Sequence, residues 1–286
     1  MPAQLIDGKA LAEKILLDLK NKIAKLKRRP GLAAILIGDD PASILYIKNK
    51  KLACEKIGLN FHAYFYGNKT APNITQQQII EMISWLNSDD KVDGIIVQLP
   101  IPKKFNSQNI INKIKLEKDV DGFRRLKNIN SLVNYDVLSP PLIEAVKAAL
   151  KSTSQNLSGK TAVIICNSPI FSEPMKTSLE KNNIKVKIIK PEKNFSEETK
   201  KADILIIILG KKYFIKQSMV KPNAIVIDIG TNLIGKNKWA GDVDPKVAQV
   251  ASWLTPVPGG IGPLTVTYLL KNVYDLALKN QKSKTI

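Results

Sequence analysis

The stretch that most constrains this chain is Leu32 to Ile37, an apolar run closed by Gly38-Asp39-Asp40-Pro41 and followed by a mixed segment that runs on to Gly58. An unbroken apolar run of this length reads as a strand buried on both faces. The Asp followed by Pro is a helix start. The local fold is therefore strand, tight turn, then a helix of about four turns. Stepping about 100° per residue along that helix puts Ser43, Tyr46, Ile47, Lys50, Ala53, Cys54 and Ile57 on one arc, with Lys48, Lys51, Glu55 and Lys56 away from it. Lys50 is the one lysine that faces inward. Two readings of it stand side by side. Its stem packs while the ammonium reaches water, or desolvation lowers its pKa toward neutrality and makes it a proton-transfer group, with Tyr46 one turn earlier to orient it or to cover a ligand. Spacing alone does not choose between them.

The same alternation continues along the chain. Residues 5 to 28 carry a helical pattern through Leu11, Ile15, Leu16, Leu19, Ile23 and Leu26. After the central helix come a strand around Phe61 to Phe65, an amphipathic helix from Thr75 to Leu86, and an apolar strand from Gly94 to Leu99 that ends in Gln98-Leu99-Pro100. Alternating strand and helix predicts a mostly parallel sheet with ligands at the carboxyl ends of its strands. Gln98 and the start of the central helix both fall at such ends, which gives the functional reading of Lys50 independent support. A short helix, Gln108 to Ile114, leads to Lys118-Asp119-Val120-Asp121-Gly122. Here Asp119 reads as a loop or capping carboxylate, and Asp121, before a glycine that permits close backbone approach, reads as loop or ligand contact.

From about Val137 a second unit begins. It has a helix from Pro141 to Leu150, strands at Thr161 to Cys166, Lys185 to Ile189, Ile204 to Leu209 and Ala224 to Ile229, and a helix from about Pro174 to Asn182. This is a doubly wound pattern whose first strand-to-helix turn should carry a glycine-rich phosphate cradle. That turn reads Cys166-Asn167-Ser168-Pro169-Ile170-Phe171-Ser172-Glu173-Pro174, without glycine. Later, Thr255-Pro256-Val257-Pro258-Gly259-Gly260-Ile261-Gly262-Pro263 forms a tight loop whose last proline opens a helix from Leu264 to Leu278. It is either a functional loop with free amides at a helix start or a stiff turn between domains.

Composition removes several function classes. The chain has 286 residues, 44% of them hydrophobic, enough for two modest cores. No apolar run of about 18 residues and no signal-peptide pattern appear, so the expected location is the cytoplasm, with no membrane partner. Cys54 and Cys166, far apart, read as two buried reduced thiols, and with His62 the lone histidine no metal site is expected. The formal charge of +19 resembles a nucleic-acid signal. Against it, Arg28, Arg29, Arg124 and Arg125 are the only arginines, the lysines are spread along the chain, and 6% aromatics form no recognisable motif. No nucleic-acid partner is expected; such a partner would show steep salt dependence.

Five motifs in order, spanning nearly the whole chain, carry a resemblance. They are Asp40-Pro41-Ala42-Ser43 with Tyr46 and Lys50; Val97-Gln98-Leu99-Pro100; Lys118-Asp119-Val120-Asp121-Gly122; Gly241-Asp242-Val243; and Thr255 to Pro263. Together they resemble the bifunctional methylenetetrahydrofolate dehydrogenase/methenyltetrahydrofolate cyclohydrolase family. The resemblance implies an α/β fold with an N-terminal folate-binding and catalytic domain, 1–122, completed by a C-terminal helix, 263–280, that returns to it, and a Rossmann NADP-binding domain, 138–256, with folate in the cleft between the two domains. It implies Lys50 as the proton-transfer residue, tuned by Gln98. Tyr46 packs on the folate and Asp121 anchors the pterin. Ser43 and the loop Pro258-Gly259-Gly260 are further substrate contacts, Cys166, Asn167, Ser168 and Thr231 are cofactor contacts, and the chain is a homodimer through the Rossmann domain.

The departures from the family pattern fall in one place. Where the family has Gly-Arg-Ser and then Val-Gly before a Pro, this chain has Cys166-Asn167-Ser168 and Phe171-Ser172, keeping Ser168 and Pro174. The His-Ser after the second Rossmann strand is Lys190-Pro191, the Ile after Asp228-Ile229-Gly230 is Thr231, and a Thr-Pro-x-Gly is degraded near Ser139-Pro140-Pro141. Losing a charged hydrogen bond to phosphate costs about 1.5–3 kcal/mol. NADP affinity should therefore fall by about tenfold or more, unless Lys190 or Lys193 substitutes. The expectation is that cyclohydrolase activity survives better than dehydrogenase activity, with a non-catalytic folate binder as the remaining alternative.

Overall fold

Strand formers with apolar runs, separated by capped amphipathic helices, produce two parallel sheets. The computed structural model describes residues 2–67, 70–122, 138–192, 195–236 and 238–283, with side chains to residue 281. The elements in the first half are β1 (Gln4–Leu5), α1 (Gly8–Ile23), β2 (Gly31–Ile37), α2 (Pro41–Ile57), β3 (Asn60–Tyr66), α3 (Gln76–Ser88), β4 (Gly94–Gln98) and α4 (Ser107–Ile111). Then follow α5 (Pro141–Ser152), β5 (Thr161–Cys166), α6 (Pro169–Glu180), β6 (Lys185–Ile189), α7 (Phe195–Thr199), β7 (Ile204–Ile208) and β8 (Ile225–Asp228). The chain closes with β9 (Asn232–Gly235), β10 (Lys238–Ala240), β11 (Trp253–Leu254) and α8 (Ile261–Ser283).

Contacts divide the chain into two units, one of Glu13–Pro141 with the residues from Val266 on, the other of Leu142–Thr265 with the residues up to Ala12. The first holds a three-stranded parallel sheet in the order β3-β2-β4. Its middle strand, β2, is buried at all seven positions. Residues on its two faces alternate as the pleat demands. Leu32, Ala34 and Leu36 pack with α1, with Ile47, Cys54 and Ile57 of α2, and with Leu269, Leu270, Val273 and Leu276 of α8. Ala33, Ile35 and Ile37 pack with Ile79, Ile83 and Leu86 of α3. The C-terminal helix thus completes the core of the N-terminal unit, as the sequence leads one to expect.

The other unit is a six-stranded parallel sheet in the order β1-β11-β8-β7-β5-β6. Chain order reverses between β5 and β7, so the loops after these strands flank the crevice where a doubly wound sheet takes its ligand. Three features differ from the sequence reading. Residues up to Ala12 group with this sheet and not with the 1–122 domain, because Gln4 and Leu5 pair with Trp253 and Leu254. Helix α6 starts at Pro169, five residues before the expected Pro174, which lies inside it. Finally, β9 and β10 form an antiparallel hairpin in a stretch to which the sequence assigns no element.

Candidate active site

The site in the N-terminal unit is built on α2 and the carboxyl end of β4. Asp40 caps α2 by accepting the Ser43 amide at 2.8 Å, Pro41 opens the first turn, and Gly58 closes the helix in the left-handed region at φ 79°. The arc expected to face inward does so: Ser43, Ile47, Cys54 and Ile57 are buried, Tyr46 and Lys50 are half-buried, and Lys48, Lys51, Glu55 and Lys56 are exposed.

Lys50 Nζ donates to Gln98 Oε1 at 2.6 Å, and Gln98 Nε2 donates to the Leu99 carbonyl at 2.8 Å. The second bond fixes the amide so that its oxygen, and not its nitrogen, faces the amine. A neutral oxygen holds the amine without neutralising a charge. Burial pushes the Lys50 pKa down, and the nearby Asp121 opposes that only in part. Burial pushes the Asp121 carboxyl up to about 6, against the pull of Lys50 and with a further push from Asp119. One turn beyond Lys50, burial raises the Cys54 thiol to about 12, so it is an inert packing group. Ser43 is 1% exposed and its hydroxyl has no hydrogen-bond partner within the protein. A buried orphan hydroxyl costs about 1–3 kcal/mol, and this one lies on the arc that carries Tyr46 and Lys50.

Asp121 sits on a segment fixed residue by residue. Lys118 Nζ donates to the carbonyls of Leu86 and Asp89 at 2.8 and 2.7 Å, closing the C-terminal end of α3. Asp119 bridges to Ile95 in the sheet and accepts the Gly122 amide at 3.0 Å. Asn272 of α8 donates Nδ2 to the carbonyls of Val120 and Ser139 at 2.9 and 3.0 Å. Neither Lys118 nor Asn272 stands out in the sequence as a site-building residue. Their partners are 32 and 152 residues away and are backbone carbonyls, so no periodicity marks them.

In the other unit, Cys166, Asn167 and Ser168 lie at the carboxyl end of β5, the expected position. Cys166 Sγ accepts the Ser168 amide at 3.3 Å, which takes that N–H out of use as an anion donor. The Ser168 side chain makes no capping bond to α6, so its hydroxyl is left for a ligand. Lys190 follows β6 and is exposed, while Lys193 lies outside the described residues, as do Arg124 and Arg125. Thr231 follows β8. Pro258, Gly259 and Gly260 belong to this unit, where the Val257–Pro258 peptide is cis and Gly259 has φ 108°. The Gly259 carbonyl accepts the Lys9 amide at 2.9 Å. Among the described residues no group of three or more His, Cys, Asp or Glu side chains could hold a metal, and no helix is long and apolar enough to cross a membrane.

Residues 6–121 match the family model described as tetrahydrofolate dehydrogenase/cyclohydrolase, catalytic domain, and residues 140–281 match its NAD(P)-binding domain. The chain is 41% identical over 273 residues to the bifunctional protein FolD of Ruthia magnifica, an alignment covering 94% of this chain and 96% of that one. It is 38% identical to the bifunctional FolD enzyme of Campylobacter jejuni, whose crystal structure superposes with a TM-score of 0.89 over 97% of this chain and 99% of that one. The Trypanosoma brucei FolD, solved with NADP cofactor and inhibitor, is 28% identical, with a TM-score of 0.92 over 99% of each chain. Five motifs in order, a half-buried amine on a glutamine oxygen, and both halves of the family model therefore agree: the chain belongs to the tetrahydrofolate dehydrogenase/cyclohydrolase family.

Proposed function

We propose that this chain interconverts folate one-carbon units, oxidising 5,10-methylenetetrahydrofolate to 5,10-methenyltetrahydrofolate with NADP as acceptor and hydrolysing the product to 10-formyltetrahydrofolate. The observation that carries this reading is Lys50, desolvated and held by the Gln98 oxygen at 2.6 Å. Hydrolysis of the methenyl bridge needs a group that takes a proton and returns it. In the neutral form Lys50 accepts a proton from water as the water oxygen bonds to the methenyl carbon. As the bond from that carbon to N5 breaks, the ammonium returns the proton to N5. The remaining hydroxyl proton leaves to solvent as the carbonyl forms, the formyl group stays on N10, and Lys50 ends as it began. Gln98 orients the amine lone pair, Asp121 anchors the pterin, Tyr46 packs against it, and the unpartnered Ser43 hydroxyl is a further substrate contact.

When bound, NADP supplies the hydride acceptor. The residues present fit it in part: α6 starts directly after β5 at the switch point, Pro169 has no N–H and the Phe171 amide donates to the Ser168 carbonyl at 3.2 Å, so the first turn offers the Ile170 amide, beside an uncommitted Ser168 hydroxyl. Ser168, the start of α6, and Thr231 would hold it, with Cys166 and Asn167 lining the turn. The grip is weakened because the turn has no glycine and the Ser168 amide is occupied by Cys166. Dehydrogenase activity is thus the weaker half of the pair.

Parallel assays of methenyl hydrolysis and NADP-dependent methylene oxidation on the purified protein test both parts. Hydrolysis lost on Lys50→Met, with oxidation limited by a raised KM for NADP, is the expected result. No hydrolysis in the native chain removes the reading, and family-like rates in both assays remove the weakened grip. A homodimer through the Rossmann unit is supported by the open edge of β6 in its sheet and is tested by light scattering. Action in the cytoplasm is supported by two free buried cysteines.

A further inference from the structure

The Rossmann unit buries two carboxylates that the chemistry above does not use. Asp242 is 0% exposed and Asp228 3%. Asp242 Oδ2 accepts the amides of Leu209 and Gly210 at 2.6 and 3.0 Å, and Oδ1 accepts the Lys211 amide at 2.7 Å and Asn232 Nδ2 at 3.0 Å. Three consecutive backbone N–H groups converging on one anion, with the chain turning left-handed at Gly210 (φ 66°), form the kind of concavity that in other folds receives a phosphate. Here the protein's own carboxylate fills it. Asp228 supports the same residue from beneath, accepting the amides of Asp242 and Val243 at 3.1 and 2.9 Å. The packing admits nothing larger: a Cβ on Gly230 would overlap the Asp242 carboxylate, and one on Gly241 would overlap Asp228 Oδ2.

The two segments that Asp242 joins are the loop after β7 and the residue that follows Thr231 after β8. Both lie at the carboxyl edge of the sheet, and the first borders the switch point between β5 and β7. With its amides turned onto Asp242 and the Lys211 ammonium lying 5.3 Å over the Phe214 ring, the loop 209–211 has no backbone donor left for phosphate, so the part of a dinucleotide facing its backbone is an uncharged or cationic one. The pyrophosphate belongs at the β5–α6 turn instead. We propose that Asp242 is a positioning residue for the nicotinamide riboside half of the dinucleotide, an internal anion that locks the loops after β7 and β8 into the shape that half requires. This rests on the dehydrogenase reading above and adds the residue that shapes its cofactor pocket.

The test uses the full chain and measures binding as well as turnover. Asp242→Asn keeps the volume but replaces an accepting oxygen with a donor that faces an N–H. Dissociation constants for NADP and NAD are measured by calorimetry, together with those for adenosine 2′,5′-bisphosphate, which lacks the nicotinamide half. The expected result is at least tenfold weaker binding of both dinucleotides and unchanged affinity for the bisphosphate. Amide exchange at 209–211 should speed up at least tenfold, and dinucleotide-free methenyl hydrolysis should stay within twofold of native. Asn232→Ala, which removes one of the four donors, is expected to weaken the dinucleotides by a smaller factor and serves if Asp242→Asn does not fold. Faster exchange with unchanged dinucleotide affinity overturns the proposal, as does equal weakening of the bisphosphate or a parallel fall in hydrolysis. A native chain that binds neither dinucleotide overturns the dehydrogenase reading itself and this inference with it.

Discussion

Lys50 draws its chemistry from the oxygen that holds it, because a glutamine tolerates a neutral amine where a carboxylate would keep it charged. Lys50→Met should lower hydrolysis by about 10²–10⁴-fold, the usual worth of general acid–base help, while the melting temperature holds or rises as a buried amine disappears. Gln98→Glu should raise the Lys50 pKa and move the basic-going limb of the hydrolysis pH–rate profile upward; an unmoved limb would separate that limb from Lys50. Asp121 carries a sign that can be worked out. Its folded pKa, about 6, lies above the ordinary carboxylate value, so the folded state binds the proton more tightly than the unfolded state. Its favourable contribution is complete below the ordinary carboxylate range and is lost as pH rises to about 6. The melting temperature of Asp121→Asn minus that of the native chain should therefore grow between pH 4 and 6 and then level off. At this scale Lys50, Tyr46 and Ser43 were legible because helical spacing puts them on one arc. Lys118 and Asp242 stand in the motifs, but their clamping roles, like that of Asn272, were not legible, because each acts mainly on backbone groups of a distant segment and leaves no periodic trace.

Helix α2 was the element read most fully, since its cap, its proline and its buried arc are all local signals. Its end is testable: Gly58 has φ 79° and open space where a Cβ would go, so Gly58→Ala meets only backbone strain. It should cost about 1 kcal/mol in a urea titration, and a neutral result would place the helix end elsewhere. The junction before β2 makes a stronger case. Arg28 grips Asp93 with two bonds of 2.9 and 2.7 Å, and Asp93 also accepts the Gly31 amide at 2.9 Å, tying the start of β2 to the turn before β4. Removing Asp93 leaves the buried Gly31 amide unpaired while the part-exposed Arg28 turns to water, so Asp93→Ala should lose about 1–3 kcal/mol by the same titration. Helix α6 was misread at its start for a physical reason. Proline marks first turns, yet Pro174 is accommodated within the helix, where the bond it deletes is the one to Ile170. The hairpin β9–β10 was missed because Asn232 to Ala240 lacks the alternating apolar pattern that announces a strand.

The architecture of the whole chain was legible because seven parallel strands and their helices follow the alternating strand–helix rhythm. The first dozen residues were not, since a two-residue strand such as Gln4–Leu5 has no pattern of its own and is defined only by its partner β11. The same whole-molecule view predicts how stability follows pH. The net charge is +19 with one histidine, so ordinary groups change the charge little between pH 5 and 8. Two buried acids dominate that window. Asp121 titrates at about 6, and Asp228 is pushed up to about 7 by burial, with Asp242 adding to the push and the amides of Val243, Asp242 and Gly230 restraining it. Both hold protons more tightly when folded, so stability contributed below the ordinary carboxylate range is withdrawn as pH climbs through 6 and 7. Asp203 runs the other way: burial is outweighed by its bonds from Lys221 and Thr161, and its carboxyl falls to about 2. Its contribution is lost only as pH drops below the ordinary carboxylate range toward that value. The melting temperature at constant ionic strength should therefore decline from pH 5 to 8, an interval over which a protein whose carboxylates are all ion-paired would stay level. A rise across that interval would mean that Asp121 and Asp228 are not buried acids, and the desolvated surroundings that lower the Lys50 pKa would be in question with them.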